Sequence, residues 1–179
     1  MKLIILDRDG VINQESDDYI RSADEWRPIP GSLEAIARLN MKGYRVVVIT
    51  NQEGLALGKF DIEALNSMHR KMHNLLSRIG GSVEAILFCP HKEEDACSCR
   101  KPRPGLYQEL AGRLRISMSG VFSIGDKLTD LKAAFAAGAR PLLVRTGYGQ
   151  ALVDQGMVPE GVPVYNNLAA AVAEICRYE

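Results

Sequence analysis

An excess of charge of either sign is what this sequence most clearly lacks. Its 22 Lys and Arg residues are matched by 22 Asp and Glu, giving a formal net charge of zero. That balance argues against a bulk basic field that draws in nucleic acid, though not against a local basic patch. Aromatic residues make up only 6%, with one Trp, and the scattered Tyr and Phe do not interleave with basic clusters. No apolar run approaches the roughly 18 residues needed to span a bilayer. The first residues carry one Lys and a short apolar run that reaches Asp7, without the long apolar region of a secretory leader. A cytoplasmic protein with no membrane and no nucleic-acid partner is therefore expected. Cysteine is scarce as well: four residues in 179 are too few for a disulfide scaffold. Repeats, low-complexity stretches and linkers are missing. What remains is a 46% hydrophobic chain of a length that fits one domain with a real core, spanning 1–179.

The apolar pattern alternates strand and helix. Residues 2–6 read as a buried strand, and 44–50 as a β-branched one. Residues 83–89, 121–124 and 141–145 give three more, with an edge strand at 162–165. Ser32 is placed to cap a helix bearing Leu33, Ile36 and Ala37. Asp61 is placed to cap a second, with Ile62, Leu65, Met68, Met72, Leu75 and Ile79 on its apolar stripe and Gly80-Gly81 as its stop. Pro104 opens a helix with Leu106, Leu110 and Leu114. A helix at 128–137 ends at Gly138, and Leu168, Val172 and Ile175 mark the last. Such alternation implies an α/β fold, a three-layer Rossmann-like sandwich with a mainly parallel sheet. The connections are too short for an inserted cap domain, so loops must roof the site.

Ligands of open parallel sheets bind beyond the carboxyl ends of the strands. Four such ends carry polar residues here: Asp7 and Asp9; Thr50, Asn51 and Gln52; Arg100 and Lys101 after a loop; Asp126, with Asp130 four residues on. Two acids as close as Asp7 and Asp9 repel unless a cation or a shared proton intervenes, and Mg²⁺ is the usual oxygen-liganded cation beside phosphate. Each group has a use in phosphoryl transfer. One carboxylate can attack phosphorus, and a second can move the proton. A hydroxyl and an ammonium can hold the equatorial oxygens.

The cysteines cluster. Cys89, Cys97 and Cys99 fall within eleven residues, with His91 beside them. Thiolate and imidazole donors suit tetrahedral Zn²⁺, and four protein ligands make a closed structural site in the loop at about 89–103. Arg100 and Lys101 directly follow the last ligand, so metal closure would aim both cations. Cys176, at core spacing from Ile175, reads as a small buried hydrophobe. His69 and His73, four apart, read as a polar helix face rather than a ligand pair.

Residues Asp7-Arg8-Asp9-Gly10-Val11, Thr50, Lys101 and Gly125-Asp126-Lys127-Leu128-Thr129-Asp130 occur together in one order. On these motifs the chain resembles the haloacid dehalogenase superfamily of phosphohydrolases. The resemblance implies that Asp7 is the nucleophile and Asp9 the general acid/base, with Thr50 and Lys101 on the phosphoryl group. It implies Mg²⁺ on Asp7, the main-chain carbonyl of Asp9, and Asp126, with Asp130 close by or orienting Lys101. The Cys/His loop with Arg100-Lys101-Pro102, and Leu143 to Gly147, sharpen the likeness to the superfamily's capless heptose-bisphosphate phosphatases. That likeness implies Mg²⁺-dependent removal of the 7-phosphate of a small phosphorylated sugar, through an aspartyl-phosphate, in lipopolysaccharide precursor synthesis. It implies Zn²⁺ on Cys89, His91, Cys97 and Cys99, and sugar contacts from Asn51, Gln52, Glu53, Arg100, Lys127, Glu15, Asp18 and Tyr19. A monomer is expected. A histidinol-phosphate phosphatase shares these motifs, and a non-catalytic phosphosugar-binding module is the alternative of another class.

Overall fold

The structure, a computed structural model, describes residues 1–178. Val46, Val47, Val48 and Ile49 are buried on both faces, as the central strands of a parallel sheet must be. The strands are β1 (Lys2–Leu6), β2 (Tyr44–Asn51), β3 (Ala85–Cys89), β4 (Phe122–Gly125), β5 (Arg140–Val144) and β6 (Val164–Tyr165). They form one six-stranded sheet in the order β3-β2-β1-β4-β5-β6. Every pairing is parallel.

Helices α1 (Ser32–Met41), α2 (Ile62–Ser77) and α6 (Leu168–Ile175) carry Ile36, Leu39, Leu65, Met68, Met72 and Val172 against Ile4, Leu6, Val46 and Val48. Helices α3 (Gly105–Leu114) and α4 (Leu128–Ala137) cover the other face, where Leu106, Leu110, Ala133 and Ala134 meet Leu3, Ile5, Val47 and Ile49. Successive strand residues point to opposite faces, so one strand feeds both cores. Helix α5 (Gly149–Asp154) adds Leu152 to a small cluster with Leu131 and Leu143. Three layers result, as the alternating pattern predicts. Among the described residues no helix is long and apolar enough to cross a membrane.

The strand order reverses direction between β1 and β4, and that switch point opens a crevice beyond their carboxyl ends. Leu6 pairs with both Val48 and Ile124, so Asp7 leaves the sheet between the ends of β2 and β4. Its N–H still donates to the Ile124 carbonyl at 2.9 Å, which anchors the residue to the sheet.

Several local expectations are corrected. Ser32 does not cap α1: Gly31, at φ 87°, holds the cap position, and the Ser32 hydroxyl donates to the Val11 carbonyl at 2.8 Å. The hydroxyl fastens the helix to the loop after β1 instead of to its own first turn. On α2 the buried stripe is Leu65, Met68, Met72 and Leu76, while Ile62 and Ile79 are exposed. The helix stops at Ser77, before the Gly pair. The third strand starts at Ala85, although Val83 is buried just before it. The edge strand is only Val164–Tyr165. Helix α5 has no counterpart in the sequence reading. His69, half-buried on α2, turns its ring to the buried Arg8 guanidinium.

Candidate active site

The backbone turns at once after β1. Gly10 takes φ 84°, and a Cβ there would lie 2.1 Å from Asp126 Oδ2, so only glycine lets the loop pass that carboxylate. A Cβ on Gly147 would likewise lie 2.1 Å from that oxygen, and 2.7 Å from the Gly10 Cα. The Thr146 hydroxyl donates to the Gly10 carbonyl at 2.7 Å and ties the two turns together. Asp126 is thereby enclosed, with no solvent exposure.

Around it the charged side chains interlock. Lys101 Nζ lies 3.1 Å from Asp7 Oδ1 and 2.7 Å from Asp130 Oδ1, and donates to the Ile49 carbonyl at 2.8 Å. Asp130 Oδ2 accepts the N–H groups of Asp126 at 3.1 Å and Lys127 at 3.0 Å, so one residue caps α4 and holds the lysine. Lys127 Nζ is 3.1 Å from Asp126 Oδ1, 3.7 Å from Asp7 Oδ2 and 2.8 Å from Glu15 Oε2. Asp126 Oδ2 accepts the Tyr148 N–H at 2.9 Å.

Burial acts on these groups in opposite directions. It alone would raise the Asp7 carboxyl, but Lys101 and Lys127 hold it below its usual range. Burial dominates at Asp126, whose carboxyl rises well above the ordinary value despite Lys127. Both lysines stay charged: burial disfavours their cations, but the surrounding carboxylates outweigh it. Oxygens of Asp7, Asp126 and Asp130 lie within 4.8 Å of one another, all three residues buried. Three hard oxygen donors so close fit a divalent cation.

Asp9 is held differently. Its Oδ1 accepts from Arg8 Nε at 3.0 Å, Arg8 Nη2 at 2.8 Å and Asn13 Nδ2 at 2.8 Å. Its Oδ2 accepts from Gln52 Nε2 at 3.1 Å, and the same amide reaches Thr50 Oγ1 at 3.0 Å. Asn51 brackets the backbone of Lys101, accepting its N–H at 3.0 Å and donating to its carbonyl at 3.1 Å. Asn51 and Gln52, which also line the cavity, hold Lys101, Asp9 and Thr50 through these amides.

These groups line a cavity of about 320 Å³. Its rim is built from Glu15, Tyr19, Glu53, Arg100 and Lys127. Tyr19 donates to Glu53 Oε1 at 2.9 Å, and Arg100 pairs with Glu53 at 3.0 Å and with Glu93 at 3.0 Å. The structure does not bring Asp18 to this cavity: its carboxylate is 76% exposed and paired with Arg21. Asp17 lines the cavity with the rest of the loop from Glu15 to Tyr19, while Tyr148 and Thr129 enter the lining without any signal in the sequence reading. Tyr148 stacks under Lys127 Nζ at 5.3 Å and donates to Asp17. Asp17 and Tyr148 are 131 residues apart, a pairing that no local pattern signals.

Beside the crevice, Cys89 Sγ is 3.1 Å from Cys99 Sγ and 3.6 Å from Cys97 Sγ, and His91 Nδ1 is 3.2 Å from Cys99 Sγ. All four donors lie within 4.8 Å of one another, and the cysteines are free. Three soft sulfurs and one imidazole nitrogen in a closed cluster match the donor chemistry of a structural zinc site.

A parallel sheet with paired acids after β1, a buried lysine and a further acid after β4 defines a haloacid dehalogenase-like phosphohydrolase. Two family models match, one described as HAD-hydrolase-like over residues 98–171 and one as polynucleotide kinase 3 phosphatase over residues 2–134. A D-glycero-beta-D-manno-heptose-1,7-bisphosphate 7-phosphatase of Bordetella bronchiseptica is 52% identical over 99% of both chains. Its namesake from Pseudomonas putida is 46% identical over 98% of this chain and 99% of that one. The crystal structure of D,D-heptose 1,7-bisphosphate phosphatase from B. bronchiseptica with magnesium and phosphate superposes with a TM-score of 0.98, at 51% identity and full coverage of both chains. This chain belongs to the D-glycero-beta-D-manno-heptose-1,7-bisphosphate 7-phosphatase family.

Proposed function

We propose that this chain is a Mg²⁺-dependent phosphatase that removes the 7-phosphate of D-glycero-D-manno-heptose 1,7-bisphosphate, in lipopolysaccharide and nucleotide-heptose precursor synthesis. The observation that carries this reading is the meeting of Asp7, Thr50, Lys101 and Asp126 at the β1/β4 switch point. The substrate follows the full-length relatives rather than the broader polynucleotide phosphatase model, in keeping with zero net charge. The chain works as a monomer and a single domain, in a reducing cytoplasm that keeps its thiols free.

An Asp7 oxygen attacks phosphorus, the bond to the sugar oxygen breaks, and that oxygen takes a proton from Asp9. Asp9 then takes a proton from the water that attacks the aspartyl-phosphate, releasing inorganic phosphate and restoring Asp7. The Thr50 hydroxyl and Lys101 ammonium hold the equatorial oxygens as charge spreads onto them. Asp7, the main-chain carbonyl of Asp9, and Asp126 would hold Mg²⁺, while Asp130 orients Lys101. When bound, the ion neutralises phosphate charge facing the carboxylates. Cys89, His91, Cys97 and Cys99 would hold Zn²⁺ and fix the loop that ends in Arg100 and Lys101. Arg100, with its planar fork, serves the second phosphate, and Glu15, Tyr19, Glu53 and Lys127 border the sugar. Asn51 and Gln52, in the lining of the same cavity, border the substrate beside them.

The test compares kcat/KM on the heptose bisphosphate and on histidinol phosphate with Mg²⁺ present. Strong preference for the bisphosphate is expected, with activity lost in Asp7→Asn. Equal or better turnover of histidinol phosphate overturns the substrate assignment. Turnover of neither returns the chain to a phosphosugar-binding role.

A further inference from the structure

Arg8 is the unexpected residue of the opening motif: it is completely buried, in a loop beside the site. A guanidinium carries five N–H donors and no acceptor, so a buried one must be surrounded by acceptors. Its Nε and Nη2 both go to Asp9 Oδ1, at 3.0 and 2.8 Å. Its Nη1 points the other way, to the His69 ring at Nε2, 3.1 Å, with Met68 Sδ at 3.8 Å. Because Nη1 can only donate, His69 Nε2 must be the acceptor, and the imidazole is neutral with its proton on Nδ1. Burial, with the charge of Arg8 next, pushes the His69 ring down to about 3, in line with that geometry.

The two oxygens of Asp9 are consequently unequal. Oδ1 accepts three hydrogen bonds from Arg8 and Asn13, whereas Oδ2 accepts one from Gln52. An oxygen with three donors aimed at it has no room for a proton of its own. We propose that His69, acting through Arg8, is a positioning residue that fixes the rotation of the Asp9 carboxyl and assigns its transferable proton to Oδ2. The chain runs from α2 through His69 Nε2 and Arg8 to Asp9 Oδ1, and each link is a hydrogen bond already named. Deleting the acceptor on α2 leaves Arg8 Nη1 buried without a strong partner, frees the guanidinium to turn, and lets Asp9 turn with it. The proposal rests on the reading of Asp9 as general acid.

An acid matters in proportion to the basicity of the leaving oxygen. A sugar alkoxide needs the proton, whereas the nitrophenolate of p-nitrophenyl phosphate departs without it. The readout is therefore the ratio of kcat/KM for the heptose bisphosphate to that for p-nitrophenyl phosphate, since kcat/KM reports steps through leaving-group departure. In His69→Leu that ratio is expected to fall about tenfold, part of the hundredfold or more that acid catalysis supplies. In His69→Gln, whose amide oxygen can still accept from Arg8, it is expected to stay within about twofold of the parent. Turnover of p-nitrophenyl phosphate certifies that each variant is folded. Equal loss of both substrates in His69→Leu, or no loss of either, overturns the proposal, as does failure of His69→Gln to restore the ratio. Asp9→Asn is run alongside and is expected to lower the same ratio more steeply. If it lowers both substrates alike, the acid role itself is wrong and the positioning claim falls with it; if it behaves as expected while His69→Leu does not, only the positioning claim fails.

Discussion

The floor and the rim of the crevice are built by different rules. On the floor, Asp7, Lys101, Asp126 and Asp130 are at most 6% exposed, and each is held by several partners from the sheet ends and α4. On the rim, the side chains of Arg100 and Glu53 are 18% and 27% exposed and are tied mainly by ion pairs, while Lys127, 32% exposed, reaches down to the floor carboxylates and belongs to both regions. A floor residue cannot move without stranding a buried charge, which the low-dielectric interior penalises. A rim residue can exchange its protein partner for a ligand at little cost, because water screens what is left behind. The difference separates what must be fixed, the line of attack on phosphorus, from what must open, the seat for the sugar and its second phosphate.

Lys101→Met gives that contrast its severest test. Removing this ammonium leaves Asp7 and Asp130 facing each other beside Asp126 in a buried space. Activity is expected to fall on the order of 10²–10³-fold through loss of one equatorial-oxygen donor. Unfolding free energy in urea is expected to fall by about 3–5 kcal/mol, the usual result of stranding half of a buried ion pair. A variant as stable as the parent would show that the floor is not over-determined and that its charges are solvated in fact.

The same contrast governs what could be read from sequence. Lys101 lies in the long loop after β3 and Asp130 within α4, but Asp7 and Asp126 each sit one position beyond an apolar strand, after Leu6 and Gly125, so a strand boundary locates them. The parallel sheet then brings them together without further information. Rim contacts depend on the paths of loops that have no periodicity. Glu15, Tyr19, Glu53, Arg100 and Lys127 do reach the rim, but Asp18 turns outward to Arg21 and Tyr148 arrives unannounced. Helix α5, which brings Tyr148, has six residues and no side-chain cap, too little pattern to detect. Arg8 was readable only as a charge next to two acids. That it would be wholly buried, and bonded to a histidine 61 positions on, is a property of packing.

The Cys/His loop is where floor and rim are joined, because Cys99, Arg100 and Lys101 are consecutive. If zinc fixes that segment, stripping it should disturb both regions at once. Cys97→Ser, or chelation followed by gel filtration into Mg²⁺ buffer, is expected to lower kcat/KM about 10- to 100-fold, the range typical of lost support around a site. Elemental analysis of the same samples checks the metal content. Full activity in zinc-free protein would mean that Lys101 is aimed by Asn51, Asp130 and Ile49 alone, and that the loop serves only the fold.

The smallest effect is expected at Arg100, and its direction is the informative part. Arg100 Nη1 pairs with Glu53 and Nε with Glu93, both at 3.0 Å. A distal phosphate that takes the fork has to displace these half-exposed pairs, so the net gain is less than the roughly 1.5–3 kcal/mol of a charged hydrogen bond. Arg100→Ala is accordingly expected to raise KM for the heptose bisphosphate about tenfold while leaving p-nitrophenyl phosphate, which has no second phosphate, within about twofold. It also frees Glu53 to keep Tyr19 alone, at 2.9 Å, so the rim stays closed and the floor stays where the sheet puts it. Equal loss on both substrates would place Arg100 on the floor, acting on the reacting phosphate, and the division drawn between the two regions would have to move by one residue along the chain.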